Sequence, residues 1–246
     1  MSGSVRKAFQ IINLVAENQG NIRQVDIVNE LRMTKATAHR YFDILEELNW
    51  LEKKDRNYYL GLGLFKLGNK VQNKNIIINR LEPILKSIVS EFNETINLAQ
   101  LIGDQAIYLH KIESSRNLQF RAKPGDSIPL HCTAMGKSIL SCLTKEHLDE
   151  LLKNIKLKKY TNNTITSKVA LKKQLKEINE RGYAIESEEF EEGLICVSVP
   201  VNIPAYEFIG SISLSGTITR LNKNKLKLLA DKIIPHIDRL KNDLSK

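Results

Sequence analysis

The chain is poor in cysteine and in aromatic side chains, and it has no long apolar run. Its three cysteines, Cys132, Cys142 and Cys196, lie far apart and form no CxxC pair. An odd, scattered set argues against a disulfide framework and against a zinc finger, and fits reduced thiols in a cytosol. The longest apolar runs, such as Ile76-Ile77-Ile78, fall far short of the roughly 20 residues that a membrane span requires. Residues 1–10 lack the apolar core of a secretion signal. There is no internal repeat and no low-complexity segment. A soluble cytoplasmic protein with no membrane association and no cofactor is the expectation.

What the chain does have is 246 residues, 42% of them hydrophobic, enough for one large domain or two smaller ones with packed cores. Its 37 basic and 28 acidic side chains leave a net charge of +9, which favours an anionic partner. Lysine-rich solvated faces, as near Lys158 and Lys172, produce the same total. Residues 1–75 hold 12 basic and 8 acidic groups, so the excess is only modestly concentrated there. Any binding surface must therefore be read from the position of individual charges.

From Val5 to Leu48, apolar residues recur at three and four, and the spacing predicts three helices over 5–18, 25–31 and 35–48. Gly20 and Asn21 separate the first two, and Arg32-Met33-Thr34 forms a tight joint before the third. Residues 50–60 predict two short strands around a charged turn. Three short helices and a hairpin spell a winged helix-turn-helix. A linker helix is expected over 62–76, and a further helix over 80–92 with Pro83 in its first turn. The period then changes to two: strands are predicted around Gly103-Asp104-Gln105, over 118–122, 183–187, 193–201 and 208–215, with helices over 133–143, 145–153, 168–181 and 221–244. This order predicts two domains, an N-terminal all-α winged helix-turn-helix with a β-hairpin wing (1–61) and, after the linker, an α+β sheet domain (77–246).

The third helix has an unusual charge order. A free helix favours acids in its first turn and bases in its last. Here Lys35, His39 and Arg40 occupy the first half, and Asp43, Glu46 and Glu47 the second. At 100° per residue, Ala38, Tyr41, Phe42, Leu45 and Leu48 share a packing face, and Ala36, His39, Arg40, Asp43 and Glu47 the opposite one. An end carrying Thr34 as cap, open backbone amides, Lys35, Thr37, His39 and Arg40 suits phosphate oxygens, and Ala36 permits close approach to base edges. Lys53, Lys54 and Arg56 fall in the hairpin turn, where a wing meets the DNA backbone. These nine residues are the candidate DNA contacts.

The chain resembles the IclR family of bacterial transcription regulators over nearly its whole length. The N-terminal signs are "SVRKAFQIINLVAE", "VDIVNELRMTKATAHRYFDILEELNWLEK" and "YYLGLGLFKLG"; the more specific C-terminal ones are "GDSIPLHCTAMGKSIL", "GYAIESEEFEEGLICVSVPV" and "GSISLSG". The resemblance implies a C-terminal effector-binding domain similar to GAF and PAS sensors, and homodimers or tetramers on palindromic operators, with half-sites roughly 34 Å apart. It further implies a small organic acid, such as glyoxylate, pyruvate, a sugar-acid catabolite or an aromatic acid, held beneath the helix that follows "PLH". Ala134 and Met135 would offer amides at that helix's start. Ser213 and Ser215, two apart on one strand, would present both hydroxyls to one face. Cys196 stands where related proteins contact ligand, Glu186 where some carry a shorter Asp, and Phe120, Ile128 and Leu194 would form the apolar wall.

The expected function is thus a sequence-specific regulator, a repressor in preference to an activator, whose operator affinity responds to a small carboxylic acid. Two other readings stand beside it. One is a cysteine- or metal-dependent hydrolase using His131 and Cys132, or zinc held by Cys132, Cys196, His131 and Glu188, although adjacent residues on an extended segment point apart. The other is a DNA-binding protein that takes no ligand.

Overall fold

A computed structural model describes residues 3–70, 72–116 and 122–244; Phe120 and most of the strand expected over 118–122 lie outside them. The chain divides into two compact units, Met1–Gln72 and Asn73–Lys246.

Unit 1 contains helix α1 (Gly3–Glu17), strand β1 (Ile22–Arg23), helices α2 (Gln24–Glu30) and α3 (Lys35–Glu47), the hairpin β2 (Leu51–Lys54) and β3 (Asn57–Leu60), and helix α4 (Leu62–Gly68). β1 was not predicted from the sequence: two residues are too short to show a period. It pairs with β3 to give a sheet of order β1-β3-β2. Its approach requires Gly20, whose φ is 79° and whose added Cβ would lie 2.1 Å from the Tyr59 ring. The core joins Ile11 and Val15 of α1, Ile27 of α2, Phe42 of α3 and Tyr58 of the wing, with the Phe42 and Tyr58 ring centroids 4.4 Å apart. The joint between α2 and α3 turns at Arg32, with φ of 49°, and buries Met33. α3 buries Ala38, Tyr41, Phe42 and Leu45 as its spacing predicts. Leu48, expected on the same face, is exposed, because α3 ends at Glu47 and Leu48 serves as its C-cap.

Unit 2 opens with α5 (Gln72–Phe92). The helix expected to start at residue 80 therefore begins eight residues earlier and runs through the place where the linker was expected to end. The stripe Ile77, Leu81, Leu85 and Ile88 is continuous and entirely buried, which holds the helix together across that point. Pro83 consequently lies inside the helix, not in its first turn. Among the described residues six antiparallel strands follow in the order β6-β5-β4-β9-β8-β7: β4 (Thr95–Ile102), β5 (Gln105–Ile112), β6 (Ser127–Ile128), β7 (Ala184–Ser187), β8 (Leu194–Ile203) and β9 (Phe208–Thr217). Strand residues alternate between two cores. Ile96, Leu98, Val197, Val199, Ile212 and Leu214 pack with α5 and the closing helix α9 (Lys223–Leu244). Ala99, Ala106 and Cys196 face the other way, toward α6 (Ala134–Ser141), α7 (Lys145–Asn154) and α8 (Lys168–Arg181). α8 stops at Gly182, as predicted, in the left-handed conformation with φ of 82°.

α6 lies tight against the chain that precedes it. A Cβ on Gly136 would fall 2.4 Å from Leu130 Cα and 2.6 Å from the Pro129 carbonyl oxygen. Thr133 caps the helix: its Oγ1 accepts the Gly136 amide at 3.0 Å and donates to the Pro129 carbonyl at 2.7 Å. All seven residues from Ala134 to Leu140 are buried, so α6 has no solvent face of its own.

Candidate nucleic-acid interface and candidate effector site

In unit 1, Thr34, Lys35, Ala36, His39 and Arg40 are exposed along α3 and its cap, and Lys53, Lys54 and Arg56 along the hairpin; Thr37 is half-buried. Thr34 Oγ1 accepts the Thr37 amide at 3.3 Å and donates to Thr37 Oγ1 at 2.9 Å, so both threonines serve the cap. Lys35, His39 and Arg40 form no ion pair among the described residues, whereas Lys54 Nζ lies 3.2 Å from Glu52. α2, α3 and the hairpin enclose a cleft of about 520 Å³ that brings Lys35, His39, Lys53 and Arg56 together with Arg23. Arg23 was not singled out from the sequence. Its guanidinium is tied to Asp26 by bonds of 2.9 and 3.1 Å, which aligns it at the edge of this cleft.

The acidic half of α3 has an internal partner. Glu46 Oε1 accepts a hydrogen bond from Tyr58 Oη at 3.0 Å, and burial together with this carboxylate pushes the phenol up from its ordinary range. The reversed charge order thus also serves to fasten α3 to the hairpin. Among the exposed groups on this surface the bases gather at the N-terminal end of α3.

In unit 2 the sheet face beneath α6 is polar at its centre. Register places Glu186, Cys196 and Ser215 side by side on three adjacent strands, and Ser198, Ser213 and Asn97 in the next row. Cys196 Sγ donates to Ser215 Oγ at 3.3 Å. Ser211 Oγ donates to the Met135 carbonyl at 3.2 Å, and Ser138 Oγ to the Ser198 carbonyl at 2.9 Å, which pins α6 onto this face. The amides of Ala134 and Met135, the first two of α6, have no acceptor among the described residues. Ile128, Ala134, Met135 and Cys196 belong to one buried cluster, with Leu194 packed at its margin. The expected effector residues that can be described are therefore all on the α6 side, but Glu186 is almost wholly buried. Its Oε1 accepts the amides of Glu189 at 2.6 Å and Phe190 at 3.3 Å, while burial pushes the carboxyl up to about 7.

Sequence reasoning missed Lys137, which lies on the buried side of α6. Its Nζ, with no exposure at all, donates to Gln174 Oε1 at 3.1 Å, the Ile185 carbonyl at 3.3 Å and Glu189 Oε1 at 2.5 Å. Three protons meet three acceptors on α8, β7 and the β7–β8 loop, so one ammonium ties α6 to all of them. The signal that could have found it is a lysine set in a helix with no polar face, "AMGKSIL".

The hydrolase and zinc readings lose their chemistry here. Cys132 is fully buried, and burial, with Glu189 and Glu186 nearby, pushes its thiol up to about 12, far from a nucleophilic thiolate at neutral pH. His131 Nε2 donates to the Lys158 carbonyl at 2.9 Å and is engaged structurally. Among the described residues no three His, Cys, Asp or Glu side chains converge to hold a metal, so Cys132, Cys196, His131 and Glu188 do not form the ligand set considered above. No helix among the described residues is long and apolar enough to cross a membrane.

A winged helix-turn-helix followed by an α+β sheet domain with a polar layer under one buried helix defines the class of DNA-binding regulators. Comparison with known proteins specifies it further. Residues 4–55 match the IclR helix-turn-helix domain and residues 69–239 the bacterial transcriptional regulator IclR C-terminal domain. The chain belongs to the IclR family and is a DNA-binding transcriptional regulator. It is similar to the HTH-type transcriptional regulator KdgR of Escherichia coli K12, at 31% identity over 91% of this chain and 86% of that one. It is also similar to the transcriptional repressor IclR of E. coli, at 25% identity over 91% and 83%. The crystal structure of Thermotoga maritima IclR matches with a TM-score of 0.73 at 30% identity, covering 100% of both chains. An IclR homologue from Microbacterium hydrocarbonoxydans, crystallised with 4-hydroxybenzoate, shares the fold at TM-score 0.83 and 18% identity, over 99% of each chain. These relatives are named as regulators, and none of these names describes an enzyme.

Proposed function

We propose that this regulator is a repressor whose affinity for a palindromic operator changes when a small carboxylic acid binds beneath α6. The observation that carries the reading is the pair of open amides at Ala134 and Met135 above a row of buried hydroxyls, a setting that favours a carboxylate. The similarity to proteins named as repressors supports the sign, and a homologue crystallised with 4-hydroxybenzoate supports the class of ligand. Residues 1–61 bind DNA through Thr34, Lys35, Ala36, Thr37, His39, Arg40, Lys53, Lys54 and Arg56, residues 62–76 link, and residues 77–246 hold the effector. Such a switch requires that the acid bind the DNA-competent and DNA-incompetent states with different affinity.

Removing both hydroxyls with Ser213→Ala and Ser215→Ala is expected to leave operator binding intact and to abolish its response to acid. Gel shifts titrated with a panel of small carboxylates measure this; an undiminished response in the double variant would take the serines out of the site.

The active form is a homodimer or tetramer. Unit 1 exposes Val5 and Phe9 on α1 and Leu62 and Phe65 on α4, with Phe65 68% exposed, and Trp50 bridges the two helices by lying beside both Phe9 and Gly63. An exposed apolar surface of this kind fits a second copy better than water. Phe65→Glu is expected to lower the mass measured by light scattering and to weaken operator binding together. A wild-type chain that scatters as a monomer at micromolar concentration would remove the dimer reading.

A further inference from the structure

Arg23 carries unused donors to the cleft of unit 1. Its Nε and one terminal nitrogen hold the two oxygens of Asp26 at 2.9 and 3.1 Å. A guanidinium has five N–H groups, so three remain, and none of them has an acceptor among the described residues. Because Asp26 occupies the side edge, the edge between the two terminal nitrogens stays open, and its fork matches two oxygens of one phosphate. Arg23 lines the cleft and Asp26 does not, so the carboxylate grips the guanidinium from behind.

The rest of the cleft suits the same group. Lys35 comes from the start of α3, and Lys53 and Arg56 from the hairpin; with Arg23 they set four permanent cations against one acid, Asp55, on its walls. Arg23 alone of the four has an ion pair among the described residues. Register fixes its place: Arg23 stands opposite Asn57 of β3, and Asn57 opposite Lys54 of β2. The short β1 therefore brings the guanidinium to the turn of the wing and holds it there. Base edges have no net charge to meet four cations, whereas a phosphodiester has one negative charge and two unbridged oxygens.

We infer that this cleft is the seat of one DNA backbone phosphate, with Arg23 as its bidentate donor and Asp26 as the residue that positions Arg23. The seat makes the corner between β1 and α2 a third anchor, beside α3 and the hairpin. It rests on the reading of Lys35, Lys53 and Arg56 as DNA contacts. Two consequences set it apart from a general positive field. A phosphate contact carries no sequence information, so losing Arg23 weakens every duplex alike. Removing the acid Asp26 strengthens DNA binding if only the field matters, and weakens it if the carboxylate holds the fork in place.

Fluorescence anisotropy on the full chain tests the inference over about 50 to 200 mM salt. The probes are a duplex selected by the wild-type chain from a random pool and an unrelated duplex of equal length. Arg23→Ala is expected to lower affinity for both about five- to tenfold and to reduce the salt dependence by about one unit. Arg23→Lys, which keeps the charge without the fork, should restore the salt dependence and only part of the affinity. Asp26→Asn should weaken binding in the wild-type chain but not in the Arg23→Ala background, a coupling that a purely structural role would not produce. Loss of affinity in Arg40→Ala with none in Arg23→Ala overturns the seat alone; no loss in either overturns the seat and the α3 reading together. An Arg23→Ala effect confined to the selected duplex also overturns the seat, since it marks a base contact. Tighter binding by Asp26→Asn overturns the positioning role of Asp26. Should Arg23→Ala fail to fold by circular dichroism, Arg23→Gln, which keeps the stem and a donor for Asp26, supplies the same comparison.

Discussion

Lys137→Ala is expected to destabilise unit 2 by about 3 to 5 kcal/mol, the cost of breaking a buried ion pair by removing one partner. Wild-type Lys137 satisfies all three of its protons on Gln174, Ile185 and Glu189 with no exposure to water. Its loss leaves the Glu189 carboxylate buried without its ion-pair partner, and Glu189 Oε2 already has no hydrogen-bond partner among the described residues. In a unit of this size the loss corresponds to a fall in melting temperature of about 10 °C. The sign of its pH dependence follows from Glu189. Burial raises that carboxyl above its ordinary value, so without the ammonium the folded variant holds a proton there more tightly than the unfolded chain does. The variant's deficit should therefore be smaller at pH 5 than at pH 8. Pairing Lys137→Met with Glu189→Leu removes both charges and should recover most of the stability. Urea unfolding that finds Lys137→Ala within about 1 kcal/mol of wild type would show that the pair contributes little.

The second large effect concerns DNA. Arg40→Ala is expected to lower affinity for a duplex selected by the wild-type chain from a random pool by about ten- to a hundredfold, equivalent to roughly 1 to 3 kcal/mol. Arg40 is exposed on α3 and has no ion pair among the described residues, so its removal leaves the helix fold intact by circular dichroism. Lys54→Ala should act more weakly, because that ammonium already has Glu52 at 3.2 Å and would meet only phosphate. If Arg40 touches a base edge, the variant loses discrimination at one position of each half-site. If it touches phosphate alone, affinity falls uniformly across sequences and the salt dependence drops by about one unit. Unchanged gel shifts for Arg40→Ala would mean that α3 does not enter the groove by this end.

Several features of the molecule are written locally and could be read without a structure. The α3 stripe Ala38, Tyr41, Phe42 and Leu45 packs where its spacing puts it. Thr34 caps the helix it precedes, and Gly182 ends α8 with a positive φ. Each of these depends on contacts within a few residues, where helical and strand periods and cap chemistry are strong. Pro83 suits a first helical turn and so points to a start near residue 80, but the buried stripe from Ile77 to Ile88 overrides that local preference and α5 begins at Gln72. β1 and β6 have two residues each and exist only because a partner strand accepts them.

The sequence by itself determined the helix-turn-helix with its basic leading end, the change to a sheet of period two, and the residue types gathered in "GDSIPLHCTAMGKSIL" and "GSISLSG", since all of these are set by neighbours in the chain. Only the tertiary structure decided that Glu46 fastens to Tyr58, that Lys137 is sealed between α8 and the β7–β8 loop, and that Asn97 lies beside Ser213 with its oxygen unpaired. Those pairings join residues 12, 52 and 116 positions apart, across strand registers and buried faces that no local period encodes. Burial sets their energetics: the same lysine, glutamate or asparagine on a solvated face would cost nothing and signify little.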